Sequence, residues 1–208
     1  MPTLNVKAFA ELLNLPAIQQ QKVLYSQKYP KDEPQIFRIP FYSKSLSAIS
    51  KYYRNSNQSS IINSAINEIN TTVEPKPKRE NNVRVLRCFL GSKQAKRSLN
   101  VISNKKFSIS INSVDIRLSF DISSTEKGKG KYIFYNWRNI PIDTVVARRT
   151  VEIAGYVLEK AKAGIDVSQI ELVDLAVGKT YRSPRIKPST VNLILNNINI
   201  IDAIWKTI

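Results

Sequence analysis

From Phe107 to Ser123 apolar and polar residues alternate with little interruption. Phe107, Ile109 and Ile111 alternate with Ser108 and Ser110. After Asn112-Ser113, the residues Val114, Ile116, Leu118, Phe120 and Ile122 alternate with Asp115, Arg117, Ser119, Asp121 and Ser123. Successive side chains of a strand point to opposite faces, so this period of two predicts a hairpin with one buried face, turning at Asn112-Ser113. A lysine- and glycine-rich turn, Glu126 to Lys131, leads into a third strand, Tyr132-Ile133-Phe134-Tyr135, which ends at Asn136-Trp137-Arg138. Pro141 and Asp143 open a helix pattern that runs to Lys162 and stops at Gly164. Ile170 to Val177 is largely apolar and reads as an interior strand.

The flanking segments read as helical. Thr3 or Asn5 caps a first short helix, and Leu15-Pro16 starts a second that ends at Tyr29-Pro30. Lys31 to Pro40 reads as loop. Ser43 to Arg54 and a segment capped by Ser59 or Ser60 supply two more helices, separated by Asn55-Ser56-Asn57. Thr71 to Asn82, with two prolines and a run of charges, predicts a linker without regular structure. Helix is expected from Asn82 to Leu90 and from Lys93 to Leu99, and a last helix starts at Pro188-Ser189. The expected organisation is a helical N-terminal region (1–71), a linker (72–82) and an α/β core (83–208). The fold class is α/β, in the α+β sense: a mixed central sheet flanked by helices, with an all-helical N-terminal part.

Charge narrows the partners. Thirty-two Lys and Arg oppose sixteen Asp and Glu, a formal net charge of +16. Such an excess suits a polyanion, above all nucleic acid. Between residues 76 and 106 ten cations face Glu80 alone, and Arg84, Arg87, Lys93, Lys96, Arg97, Lys105 and Lys106 are the candidate phosphate contacts, with Arg148 and Arg149 on the long helix. A solvated face, or an acidic protein partner, is the competing account. With no histidine and one cysteine, Cys88, zinc sites and histidine relays are excluded. That lone cysteine reads as buried and fits a reducing cytoplasm. No apolar run reaches the length of a membrane span. Gly178-Lys179-Thr180 lacks the upstream glycine of a P-loop.

At the hairpin and the helix after it the chain resembles the RecB-like branch of the PD-(D/E)xK nuclease superfamily, over roughly Phe107 to Tyr181. The resemblance implies an Asp at Asp121, or at Asp115 as second choice. It puts the Asp/Glu-x-Lys motif at Asn136-Trp137-Arg138, and Gln-x-x-x-Tyr at Glu152-Ile153-Ala154-Gly155-Tyr156. It therefore implies a site of Asp121, Asn136, Arg138, Glu152 and Tyr156, with Asp115 and Asp121 as metal ligands for Mg²⁺ or Mn²⁺. Two of the three motifs are altered. Asn136 offers a neutral oxygen where a hard cation favours an anion. Arg138 keeps a positive charge but does not deprotonate, so it can clamp phosphate and is a poor base. The expected protein binds nucleic acid, DNA more than RNA, on a nuclease-like scaffold with an impaired or lost metal site, within a DNA-processing or defence assembly. Two alternatives stand beside it. One is an active metal-dependent nuclease in which Asp115, Asp121 and Glu152 converge. The other is a subunit docking on an acidic protein or ribonucleoprotein.

Overall fold

The computed structural model describes residues 1–30 and 41–208; the loop expected over 31–40 lies outside them. The chain forms an α+β fold in which two mixed sheets are flanked by helices. The smaller sheet has the order β1-β4-β3, from Thr3–Asn5, Val114–Ser119 and Lys106–Ile111. The larger has the order β2-β5-β6-β7-β8, from Asn100–Val101, Ile122–Glu126, Lys129–Asn136, Ile170–Asp174 and Lys179–Tyr181.

The expected hairpin forms, with Ile111 opposite Val114 and Asn112 in the left-handed region that asparagine tolerates (φ 52°). Its second strand does not run on to Ser123 as the alternation predicts. It leaves the smaller sheet after Ser119, and the chain enters the larger one at Ile122. The cause is Asp121. Its backbone N–H donates to the Ile133 carbonyl, while its carboxylate accepts from the Tyr135 N–H at 2.7 Å. A side chain thus takes a ladder position, and the alternation passes from one sheet to the other without losing phase. The turn after β5 is also tighter than expected. Lys127 and Gly128, both with positive φ, close it, and Lys129 to Lys131 belong to β6.

β6 and β7 are parallel, joined by α6 (Thr144–Lys160), whose N-cap Asp143 accepts from the Val145 and Val146 N–H groups. One face of the large sheet packs with α1 (Val6–Leu12), α6 and α7 (Pro188–Thr207) around Phe9, Phe134, Ile116 and Ile198. Each of these fully buried side chains contributes roughly 1.5–3 kcal/mol. The other face packs with α3 (Ser43–Arg54), α4 (Ser59–Thr71) and α5 (Lys76–Gly91) around Ile49, Ile62, Phe89 and Tyr135. Between α1 and α3, α2 (Ala17–Lys28) lies against α7, with the Lys28 ammonium on the Trp205 and Ile208 carbonyls.

Two expectations are corrected. The N-terminal part is not wholly helical, because Thr3–Asn5 pairs in parallel with β4 before Asn5 caps α1 through the Ala8 N–H. That strand and α1 share the core of the segments after residue 106. The linker is mostly helix: α5 begins at Lys76, with Pro75 as N-cap and Pro77 in the first turn. Proline is accommodated there because first-turn N–H groups have no helical acceptor.

Candidate functional site

Lys7 lies at the centre of two adjoining clefts. The larger, about 830 Å³, opens where the chain crosses between the sheets and is lined by Lys106, Phe107, Arg117, Asp121 and Phe134. The smaller, about 280 Å³, is lined by Glu11, Tyr42, Asn136, Trp137 and Arg138. Asn5 and Lys7 line both. The Lys7 ammonium donates to Asp121 Oδ2 at 2.7 Å and to the Tyr135 carbonyl at 3.0 Å, and it sits 5.4 Å from the Phe134 ring centre. The Asp121 carboxylate therefore already accepts one ammonium and one backbone N–H.

Asn136 and Arg138 stand at the end of β6, in the smaller cleft. The Asn136 amide nitrogen donates to the Ile140 carbonyl (2.9 Å) and to Asp174 Oδ1 (3.1 Å), and its oxygen accepts from the Arg138 N–H (3.2 Å). Asp174, fully buried at the end of β7, also accepts from the Ile142 and Ala176 N–H groups. Asn136 thus serves as a donor that satisfies a buried carboxylate, which a second carboxylate could not do. Arg138 is exposed and pairs with Glu11 at 2.9 Å.

The other residues implied by the resemblance lie elsewhere. Asp115 faces Thr3 of β1 and accepts from the Ser110 hydroxyl at 2.5 Å; six residues of extended chain put it about 20 Å from Asp121. Glu152 is buried. It accepts from the Ser183 hydroxyl (3.1 Å) in the loop before α7, and from the Thr190 hydroxyl and the Lys187 N–H (3.4 Å) at the start of α7. Tyr156 is a core residue whose ring lies under the Lys160 ammonium. Gly155 lets α6 approach the loop beneath it, since a Cβ there would meet Val167 Cγ2 at 2.7 Å. Residues 150–158 of α6 are buried on all sides, while Arg148 and Glu159 are exposed at the two ends of that run. Asp115, Asp121 and Glu152 do not converge, and among the described residues no three acidic, histidine or cysteine side chains are grouped to hold a metal ion. Mg²⁺ or Mn²⁺ does not fit this donor set: Asp121, the one carboxylate among the described residues lining the larger cleft, is neutralised by an ammonium that a cation would have to displace.

The candidate phosphate contacts divide in the same way. Lys106 lines the larger cleft and Lys105 is exposed beside it. Arg87, Lys93, Lys96 and Arg148 are exposed. Three others are engaged within the protein. Arg84 donates to the Trp137 carbonyl at 3.1 Å, Arg149 to Asn14, and Arg97 to two carboxylates. The Arg97 guanidinium binds Glu126 through two 2.9 Å hydrogen bonds and Glu171 at 2.6 Å. Glu171 is fully buried on β7 and also pairs with Lys131 and Arg182. Desolvation acts to lower the Arg97 pKa, and the hydrogen bonds to both carboxylates more than offset it. Neither this cluster nor Lys93 and Lys96 is among the residues that line the clefts.

Sequence reasoning missed Lys7, Arg117, Glu171 and Asp174. The last two carried a signal, since a charged residue inside an apolar interior strand must find a partner. Lys7, one cation among the apolar residues of α1, carried none. No family model matches the chain, and no curated protein matches it either.

Proposed function

We propose that the protein binds nucleic acid, DNA before RNA, on a scaffold of the PD-(D/E)xK kind whose metal seat has been lost, and that it works within a larger DNA-processing or defence assembly. The observation that carries this reading is the charge of the joined clefts. Lys7, Lys106, Arg117 and Arg138 meet there, and both acids among the described lining residues, Asp121 and Glu11, are held by Lys7 and Arg138. A backbone phosphate would find cations with their counter-charges only half supplied, on a chain of net charge +16.

The test is binding of a labelled 20-nucleotide oligonucleotide across a salt series. The logarithm of affinity should fall linearly with the logarithm of salt, and Lys106→Ala and Arg117→Ala should each shallow that slope by about one. A flat salt response, or no binding at low salt, overturns the reading. With Mg²⁺ or Mn²⁺ the same strands should stay intact; cutting that Asp121→Ala abolishes would restore the nuclease alternative.

A further inference from the structure

The smaller cleft carries a feature that phosphate binding does not require. Tyr42, at the start of α3, and Trp137, just past β6, lie face to face, with ring centres 5.7 Å apart and planes 17° from parallel. Both rings are half-buried and line the cleft with Lys7 and Arg138. Trp137 is held from behind, because Tyr135 packs on it at 5.1 Å and Arg84 donates to its carbonyl. Arg138, the next residue, keeps 60% of its side chain exposed. The part of this braced pair left open lies beside half-buried Lys7 and exposed Arg138 in a cleft of about 280 Å³, room for one flat ring.

We infer that the Tyr42–Trp137 pair is a stacking platform for an unpaired nucleobase, and that the ligand of this site is a single strand. This rests on the nucleic-acid reading and narrows it. Duplex bases are stacked on one another and present only edges, whereas a single strand offers a π-face at every nucleotide. The cations of the larger cleft then track the sugar-phosphate chain on either side of the stacked base. Unpaired bases occur in both DNA and RNA, so both are assayed.

Trp137 reports directly on its own ligand. The chain has two tryptophans, so a Trp205→Phe background leaves Trp137 as the sole indole. Titrating that protein with single-stranded DNA, single-stranded RNA, duplex DNA, and a strand with abasic sites throughout should quench Trp137 fluorescence with a base-bearing single strand of at least one kind. Affinity for that strand should exceed that for duplex or abasic strand by about tenfold. Tyr42→Ala should remove most of that preference while leaving the salt slope in place. Equal, salt-dependent binding of all four ligands without quenching overturns the stacking inference and leaves the nucleic-acid reading standing. Failure to bind any of them overturns both.

Discussion

The amide nitrogen of Asn136 donates to the Ile140 carbonyl and to the buried carboxylate of Asp174, two acceptors with no proton to give. Restoring an acid at this position, as a PD-(D/E)xK motif would require, sets two carboxylates against each other and removes that donor. Asn136→Asp should cost about 2–4 kcal/mol at neutral pH, which in a chain of this length lowers Tm by roughly 5–15 °C. Adding Mg²⁺ should not restore it, since Asp121 remains paired with Lys7. Thermal unfolding with and without Mg²⁺ checks this; a variant at wild-type stability, or one rescued by the cation, would show that the site accepts an acid. Asn136 and Arg138 line one cleft, but the sequence around them carries no reason for the amide. The reason is Asp174, a residue 38 positions away and brought alongside by strand pairing.

At the scale of elements, Glu152 is the clearest case of a side chain whose job is set by a neighbouring helix. It lies on α6, yet all its hydrogen-bond donors belong to the approach and first turn of α7. A carboxylate at that end also meets the positive pole of the helix dipole. Glu152→Ala should leave the Thr190 hydroxyl and the Lys187 N–H short of an acceptor, while the Ser183 hydroxyl keeps the Arg185 carbonyl, for a loss of about 1–3 kcal/mol. Hydrogen exchange should then quicken in the first turn of α7 ahead of the β5–β6 hairpin; uniform change along the chain would mean that Glu152 is not the anchor. Local rules made much of this layer legible. The turn at Asn112-Ser113, the start of α6 at Asp143 and the stop at Tyr29-Pro30 follow from backbone preferences and capping. What stayed hidden was tertiary. Alternation tells which face a residue takes but not to which sheet it belongs, so the crossing at Phe120-Asp121 has no local mark. Pro75 and Pro77 read as breakers until a helix is seen to begin there.

Across the whole molecule, the two faces of the large sheet are covered by different sets of helices, and charge ties one of those layers to the strands. Arg97 follows the short turn Lys93–Lys96 after α5 and reaches Glu126 on β5 and Glu171 on β7. Its hydrogen bonds hold the Glu126 carboxyl below its ordinary value of 4.5. A carboxyl whose pKa is lower folded than unfolded stabilises the fold at pH above the unfolded value. That contribution is lost as pH drops below about 4.5 and through the folded value. Acid also removes negative charge from a chain that already carries +16, so self-repulsion adds to the loss. Glu126→Gln should therefore be less stable than the parent at pH 7, and the gap should close as pH falls below about 4.5 and on through the folded value, because the variant has no proton to take up at that position. Denaturant melts of both proteins at half-unit steps of pH measure the gap directly. A difference that stays constant as pH falls through the carboxylate range would mean that Arg97 gains nothing from Glu126, leaving Glu171 as its one stabilising carboxylate partner beside the apolar packing of the layer.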